Sequence, residues 1–234
     1  MKSNNKTART AGAIYLLLAI TGVVSLMYVP SKLLVAGDAT ATANNIIGSA
    51  LLYKVGIVSG LVCQTLFVVL VVILYKLLKH VDKTHALMMV AFVLVSVPIV
   101  FINSVNEFAP LILLSKQDYL STFSTEQLHS LVMVFRKLYQ HGILVAEIFW
   151  GLWLFPLGYL VYHSNMFPRV LGVMLMLGCF GYLINVFVAI FIPEYTVITY
   201  PGTAIASLAE FSFVFWLLIK GTKEPAINPS VSVA

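Results

Sequence analysis

The sequence predicts an all-α membrane protein, a bundle of six transmembrane helices with both the N- and the C-terminus in the cytoplasm, and three observations predict it. Hydrophobic residues make up 60% and charged ones only 10% of 234 residues, a balance that one soluble core cannot absorb without leaving a large apolar surface. Six long apolar stretches divide the chain, each near the ~20 residues that a helix needs to cross ~30 Å of hydrocarbon. Lys and Arg gather in every second gap between them, as in short cytoplasmic loops. Connections this short leave no room for a soluble domain, so residues 1–234 read as a single transmembrane domain. The formal charge of +5 does not point to nucleic acid. The basic residues stand at helix ends, where they hold topology and meet the headgroups of membrane lipids.

The first span, residues 11–29, follows Lys2, Lys6 and Arg9. Its apolar core exceeds the ~7–15 residues of a signal peptide, and Ala39, Ala41 and Ala43 lie too far beyond it to serve as a cleavage site. It therefore reads as a retained helix. Gly37 then marks a turn and Asp38 an N-cap before an Ala-rich start that runs to Asn45, so the second helix is expected to begin outside the membrane and to span it over 47–78. The third span covers 86–107, with Pro98 expected to kink it. Ser124-Thr125-Glu126-Gln127 offers another cap, and from Glu126 the helical pattern runs through Arg136 and His141 into the fourth span, 142–162, where Pro156 predicts a second kink. The fifth and sixth spans are 170–192 and 203–219.

Orientation follows from the gaps. Lys2, Lys6, Arg9, Lys76, Lys79, Lys83, Arg169, Lys220 and Lys223 fall on one side. Lys32, Lys54, Lys116, Arg136 and Lys137 fall on the other, offset by Asp38, Glu107, Asp118, Glu126 and Glu194. The first set marks the cytoplasm. The two halves share no motif that would indicate an inverted repeat.

A rise of ~1.5 Å per residue from each inner helix end converts this topology into depth. Glu210 comes out ~15 Å up, Gln64 ~16 Å, Glu147 ~22 Å, Asn103 and Asn185 ~25 Å and Asn106 ~30 Å. Strongly polar residues thus occupy the middle and outer half. Helical spacing aligns them in stripes: Arg136, Gln140 and Glu147; Ser96, Asn103, Asn106 and Glu107; Thr203, Ser207 and Glu210; Gly178, Tyr182 and Asn185; Gly56, Gly60 and Gln64; Gly12, Tyr15, Ala19 and Gly22. Polar side chains in hydrocarbon turn inward and pair. Convergence of these stripes predicts a ligand pocket lined by Glu147, Glu210, Asn103, Asn106, Asn185 and Gln64, with Arg136 and His141 at its mouth and Asp38 to Asn45 as its lip. The alternative is that the amides simply tie helices together.

Other features carry less. Gly56-x-x-x-Gly60 reads as helix packing, and Cys63 and Cys179 as inert thiols. The five histidines map to the two edges, with no pair at one depth for a haem and no metal-binding spacing. No nucleophile elbow, phosphate loop or zinc motif occurs. No cofactor is expected.

Several motifs place the chain near a known family. They are Arg9-x-Ala11-Gly12-x-x-Tyr15; Gly37-Asp38-x-x-Ala41-Thr42-Ala43-x-Asn45-Ile46; Leu74-Tyr75-x-Leu77-Leu78; Gly151-Leu152-Trp153-Leu154-x-Pro156-Leu157-Gly158-Tyr159-Leu160-Val161-Tyr162-x-Ser164; Pro168-x-x-Leu171-Gly172; Gly181-Tyr182; Pro193; and Glu210 ahead of Trp216-Leu217-Leu218-Ile219-Lys220-Gly221. In these the chain resembles the domain-of-unknown-function 4386 family of bacterial multi-pass membrane proteins. The resemblance implies a bacterial cytoplasmic (inner) membrane address. It raises the weight on Asp38, Asn45 and Glu210, which lie inside the motifs, above Arg136, His141 and Glu147, which do not.

The function expected is binding or transport of a small molecule or lipid through an outward-facing pocket, with Glu210 as its central, proton-linked group. Two alternatives stand beside it: a membrane-embedded enzyme acting on a lipid or quinone through Glu147 or Glu210, and an accessory subunit working as a homo-oligomer or with a membrane partner. The enzyme reading is the weaker, because no nucleophile or metal site accompanies the carboxylates.

Overall fold

The computed structural model describes residues 2–115 and 117–222; Lys116 and Lys223, both part of the charge asymmetry, lie outside the described residues. Six helical spans are long and apolar enough to cross a membrane: Asn4–Leu33, Ala50–Leu78, Lys83–Leu113, Thr125–His163, Arg169–Phe191 and Pro193–Ile219. The described residues contain no strand.

Interruptions within these spans matter more than their ends. Helix α1 (Lys2–Val23) passes into a π-helical turn, Val24–Tyr28, and re-emerges as α2 (Val29–Leu33) with Pro30 in its first turn. Pro30 has no amide N–H, and in a regular helix its ring would press on the carbonyl four residues back, that of Leu26. Widening the turn ahead of it relieves that clash. After a loop, Asp38 caps α3 (Ala39–Gly48) by accepting from the Ala41 N–H at 2.8 Å. Two α3 side chains close the loop: Thr42 Oγ1 accepts from the Val35 N–H at 2.9 Å, and Asn45 Nδ2 donates to the otherwise open Leu33 carbonyl at 3.2 Å. Helix α4 (Ala50–Leu78) follows after a break at Ser49.

The third span is α5 (Lys83–Asn103) and α6 (Val105–Leu113), parted at Ser104, with Pro98 inside the first and Pro110 inside the second. The fourth is α7 (Thr125–Leu152) and α8 (Leu154–His163), parted at Trp153, within the turn whose hydrogen bond Pro156 cannot supply. A reciprocal cap starts α7: Ser124 Oγ accepts from the Gln127 N–H at 3.3 Å while Gln127 Oε1 accepts from the Ser124 N–H at 2.8 Å. Helix α9 (Arg169–Phe191) leads through a 3-10 stretch, Pro193–Thr199, into α10 (Tyr200–Ile219). Gly221, at φ 66°, ends that helix in the left-handed conformation glycine adopts without strain.

Contacts divide the chain into two compact units. In the first, residues 1–13, 70–92 and 151–234, helices α8, α9 and α10 pack in series. Their backbones come close: a Cβ built on Gly158 would lie 2.6 Å from the Gly172 carbonyl oxygen, and one on Gly172 as near the Gly158 oxygen. In the second, residues 14–69 and 93–150, Val29, Leu33, Ile46, Tyr53, Ile57 and Val132 form a buried cluster. Gly56 admits Val29 there and Gly60 admits the Ser25 hydroxyl.

Asp82 caps α5 by accepting from the His85 N–H at 2.9 Å. That bond first, and the His85 ring next, hold its carboxyl below the usual carboxylate range. Because its folded value lies below its unfolded one, the stabilisation is present above the unfolded value and is lost as pH falls through the folded one. Asp82→Ala is therefore expected to lower the melting temperature in detergent near neutrality, and the difference from wild type should shrink at acid pH, below the ordinary aspartate value of ~3.9. An equal deficit at both pH values would mean that the cap acts without its charge.

Candidate functional site

In the second unit the break at Ser104 sets the site. It places Glu107 in the first turn of α6, where the Glu107 N–H closes a tight turn on the Ser104 carbonyl at 3.0 Å. A helix N-terminus favours a carboxylate. Glu107 Oε1 accepts from an Arg136 terminal nitrogen of α7 at 3.0 Å, and both side chains are only 6% exposed. The guanidinium faces two aromatic rings, with Tyr139 at 5.0 Å and Tyr53 of α4 at 5.9 Å from its carbon to the ring centroids. Such stacking suits arginine, whose planar cation is weakly hydrated.

An amide chain ties the third span to α7 beside the pair. Asn103 Nδ2 donates to the Tyr139 carbonyl at 2.8 Å, and Asn106 Nδ2 donates to Asn103 Oδ1 at 3.0 Å. Asn103 fits because Gly142 carries no Cβ, which would overlap the amide group.

The pair is not fully saturated. Glu107 Oε2, Arg136 Nε, Tyr53 Oη and Ser25 Oγ are buried and make no hydrogen bond of good geometry among the described residues, although the Tyr139 hydroxyl lies near both Glu107 and Ser25 and the Tyr53 hydroxyl near Arg136. All four residues line one narrow void of about 10 Å³, whose wall Val29, Pro30, Leu33 and Leu34 complete. A second void of the same size, about 10 Å³, is lined by Ser25, Gly60, Gln64, Tyr139 and Trp150. Gln64 Oε1 and Trp150 Nε1 are likewise buried without partners. Ser25, on the π-turn, borders both.

Placement of the residues expected from sequence differs case by case. Gln64, Asn103 and Arg136 are buried, Asn106, Glu147 and Asn45 half-buried, and His141 and Asp38 exposed. Arg136 does not stand at a mouth with His141; Glu107 neutralises it and lets it be buried. Gln140, aligned with Arg136 and Glu147 by spacing, is exposed, and Tyr139 takes the buried position instead. Glu210 and Asn185 belong to the first unit. There Glu210 is half-buried and accepts from the Tyr182 hydroxyl at 3.0 Å. The residues that sequence reasoning left out of the site are Glu107, Tyr53, Tyr139 and Ser25. One signal pointed to the first: Glu107 shares a face with Asn103 and lies at the same end of its span as Arg136 does of the next. Among the described residues no three His, Cys, Asp or Glu side chains converge as metal ligands would.

A family model described as Domain of unknown function (DUF4386) matches residues 10–221. A protein of Archaeoglobus fulgidus, described as uncharacterized, is 33% identical over 84 residues, which cover 34% of this chain and 46% of that protein. The chain thus spans about half the length of that relative. No solved structure matches.

Proposed function

The chain belongs to the family described as Domain of unknown function (DUF4386), and from that premise we propose that it binds or moves a small polar solute at the buried Glu107–Arg136 pair. The observation that carries this reading is the set of spare hydrogen-bonding atoms around one void: an acceptor on Glu107, a donor on Arg136 and the hydroxyls of Tyr53 and Ser25. Unsatisfied polar atoms inside an apolar bundle cost free energy, so a site that keeps several of them facing one space is suited to a polar guest. The void itself takes only a water-sized group. Admitting a larger solute requires α2 to move away from Tyr53, and the π-turn that precedes α2 is the place where this span can change register.

This reading shifts the centre of the expected pocket from Glu210 to Glu107, and keeps Asn103, Asn106 and Gln64 as its supports. With both termini cytoplasmic, as the basic gaps suggest, the pair lies towards the outer surface of a bacterial cytoplasmic membrane.

Thermal shift of the detergent-purified protein against small carboxylates, amides and alcohols tests the proposal. At a concentration ~100 times its Kd, a true ligand adds ~2.7 kcal/mol of stability, enough to see as a shift of several degrees. The shift should disappear in Arg136→Gln and persist in a variant of the exposed His141, His141→Ala. A panel without any shift, or one whose shift survives Arg136→Gln, would remove the site.

A further inference from the structure

We propose that this site takes a carboxylate together with one proton: two buried waters joined at the Ser25 hydroxyl carry the proton to Glu107, whose neutralisation frees Arg136 for the incoming anion. The inference rests on the solute-binding reading above and adds the charge and the route.

The choice of anion comes from Arg136. Side-on recognition of a carboxylate by arginine uses Nε together with a terminal nitrogen. Arg136 has its Nε buried, unpartnered and beside the void, and spends a terminal nitrogen on Glu107. The two tyrosine rings, 5.9 and 5.0 Å from its carbon, hold the guanidinium beside the void.

The proton follows from charge balance. The pair is neutral overall and both side chains are 94% shielded, at 6% exposure each. An anion that displaced Glu107 from Arg136 without compensation would leave a second carboxylate charged and unpaired in an apolar bundle, which is strongly disfavoured. No other group at the site can make up the difference. Facing Glu107 are Arg136 and Tyr139 from α7, Tyr53 from α4 and the non-titrating Ser25 from the first span; the amides Asn103 and Asn106 of its own span do not titrate, and Lys54 and Lys137, next in sequence to Tyr53 and Arg136, are exposed. The step therefore balances as one O–H bond broken in the water beside Glu107 and one formed on Glu107, that water regaining a proton through the Ser25 hydroxyl and the second water from bulk solvent, while the hydrogen bond of Glu107 with Arg136 is broken and a bidentate pair forms between Arg136 and the anion. Net charge is zero before and after. Release reverses each change.

The route is the pair of voids. Each has room for one water, and each is ringed by polar atoms that need partners: Glu107 Oε2, Tyr53 Oη and Ser25 Oγ around the first, Ser25 Oγ, Gln64 Oε1 and Trp150 Nε1 around the second. Buried waters settle where two to four such atoms surround a space of this size. Ser25, which borders both voids, can accept from one water and donate to the other. Gly60 keeps that node open, since a Cβ there would come within 2.8 Å of the Ser25 hydroxyl oxygen.

Formate and acetate are the probes, with formamide and acetamide as neutral controls. Binding is followed by tryptophan fluorescence and proton uptake by an indicator dye in weakly buffered detergent solution. The expected result is saturable binding of the carboxylates with about one proton taken up per anion. Glu107→Gln should bind the same anion with no proton uptake, and Ser25→Ala should lose the rapid phase of uptake in stopped flow while keeping its stoichiometry. Carboxylate binding without proton uptake in the wild type overturns the inference, and this measurement decides even if a variant fails to fold by gel filtration and circular dichroism. Uptake as fast in Ser25→Ala as in wild type overturns the relay. Binding of the amides in place of the carboxylates overturns the choice of anion and leaves the solute reading standing. If no probe of either kind binds, both fall.

Discussion

Arg136→Met is expected to destabilise the protein by about 3–5 kcal/mol, the largest effect of any single substitution at the site. The new side chain reaches only as far as the old Nε, so the contact with Tyr53 and Tyr139 goes together with the charge. What remains is a Glu107 carboxylate, 4% exposed as a residue, with no cation to meet its charge. The pair itself is a weaker stabiliser than this number suggests, because both members lose hydration on burial. Glu107→Leu combined with Arg136→Met is therefore expected to recover much of the loss, and Arg136→Lys to fall between, keeping the charge but neither the fork nor the stacking on Tyr53 and Tyr139. Unfolding of the detergent-solubilised protein by a denaturing surfactant, run as a double-mutant cycle, measures all four. A cost below about 0.5 kcal/mol for Arg136→Met, the level of an ordinary surface change, would show that Glu107 is not charged when paired.

The same pair shows what could and could not be read from sequence. The six spans were legible because each is a long apolar run, and so were the helix starts at the cap residues Asp38 and Ser124, although the helix that Asp38 caps is a separate one, broken off at Ser49, and not the beginning of the second span. Breaks inside the spans were only half legible. Pro30, Pro98 and Pro156 are visible, yet a proline fixes a missing hydrogen bond and not the response to it, which is a π-turn near Pro30 and an interruption at Trp153 ahead of Pro156. The interruption at Ser104 has no proline within five residues on its C-terminal side, and it is the one that aims Glu107.

Depth and face, the two coordinates that a helix periodicity supplies, correctly bury Gln64 and Asn103. They say nothing about which residue of another helix stands opposite. Glu107 and Arg136 are 29 positions apart, one late in the third span and one early in the fourth. Counting each as a loop charge treats them as independent and solvated. Only their proximity lets two full charges leave the solvent together, and proximity is a property of the packed bundle.

Gly181→Ala is the second large effect, and it reaches the other polar locus. A Cβ on Gly181 of α9 would overlap the Gly202 carbonyl oxygen of α10 and lie 2.6 Å from its carbonyl carbon. Both are backbone atoms, so no rotamer change relieves the contact and the start of α10 must move. Overpacking of this kind costs about 1–3 kcal/mol. The reverse substitution provides the control. A Cβ on Gly202 would meet the Gly181 Cα at 3.0 Å and its carbonyl oxygen only at 3.8 Å, a contact that a shift of a few tenths of an ångström accommodates. Gly202→Ala is thus expected to cost clearly less than Gly181→Ala although both fill the same helix crossing. The displacement has a local consequence, since Tyr182, next in sequence, donates to Glu210 at 3.0 Å across that crossing. Tyr182→Phe removes that hydrogen bond and keeps the ring, and should cost about 1 kcal/mol. Gly181→Ala should therefore exceed Tyr182→Phe, and in the Gly181→Ala background Tyr182→Phe should have little left to remove. Equal costs for the two glycine variants would mean that the crossing adjusts freely, and that the tyrosine rather than the glycine pair holds Glu210 in place.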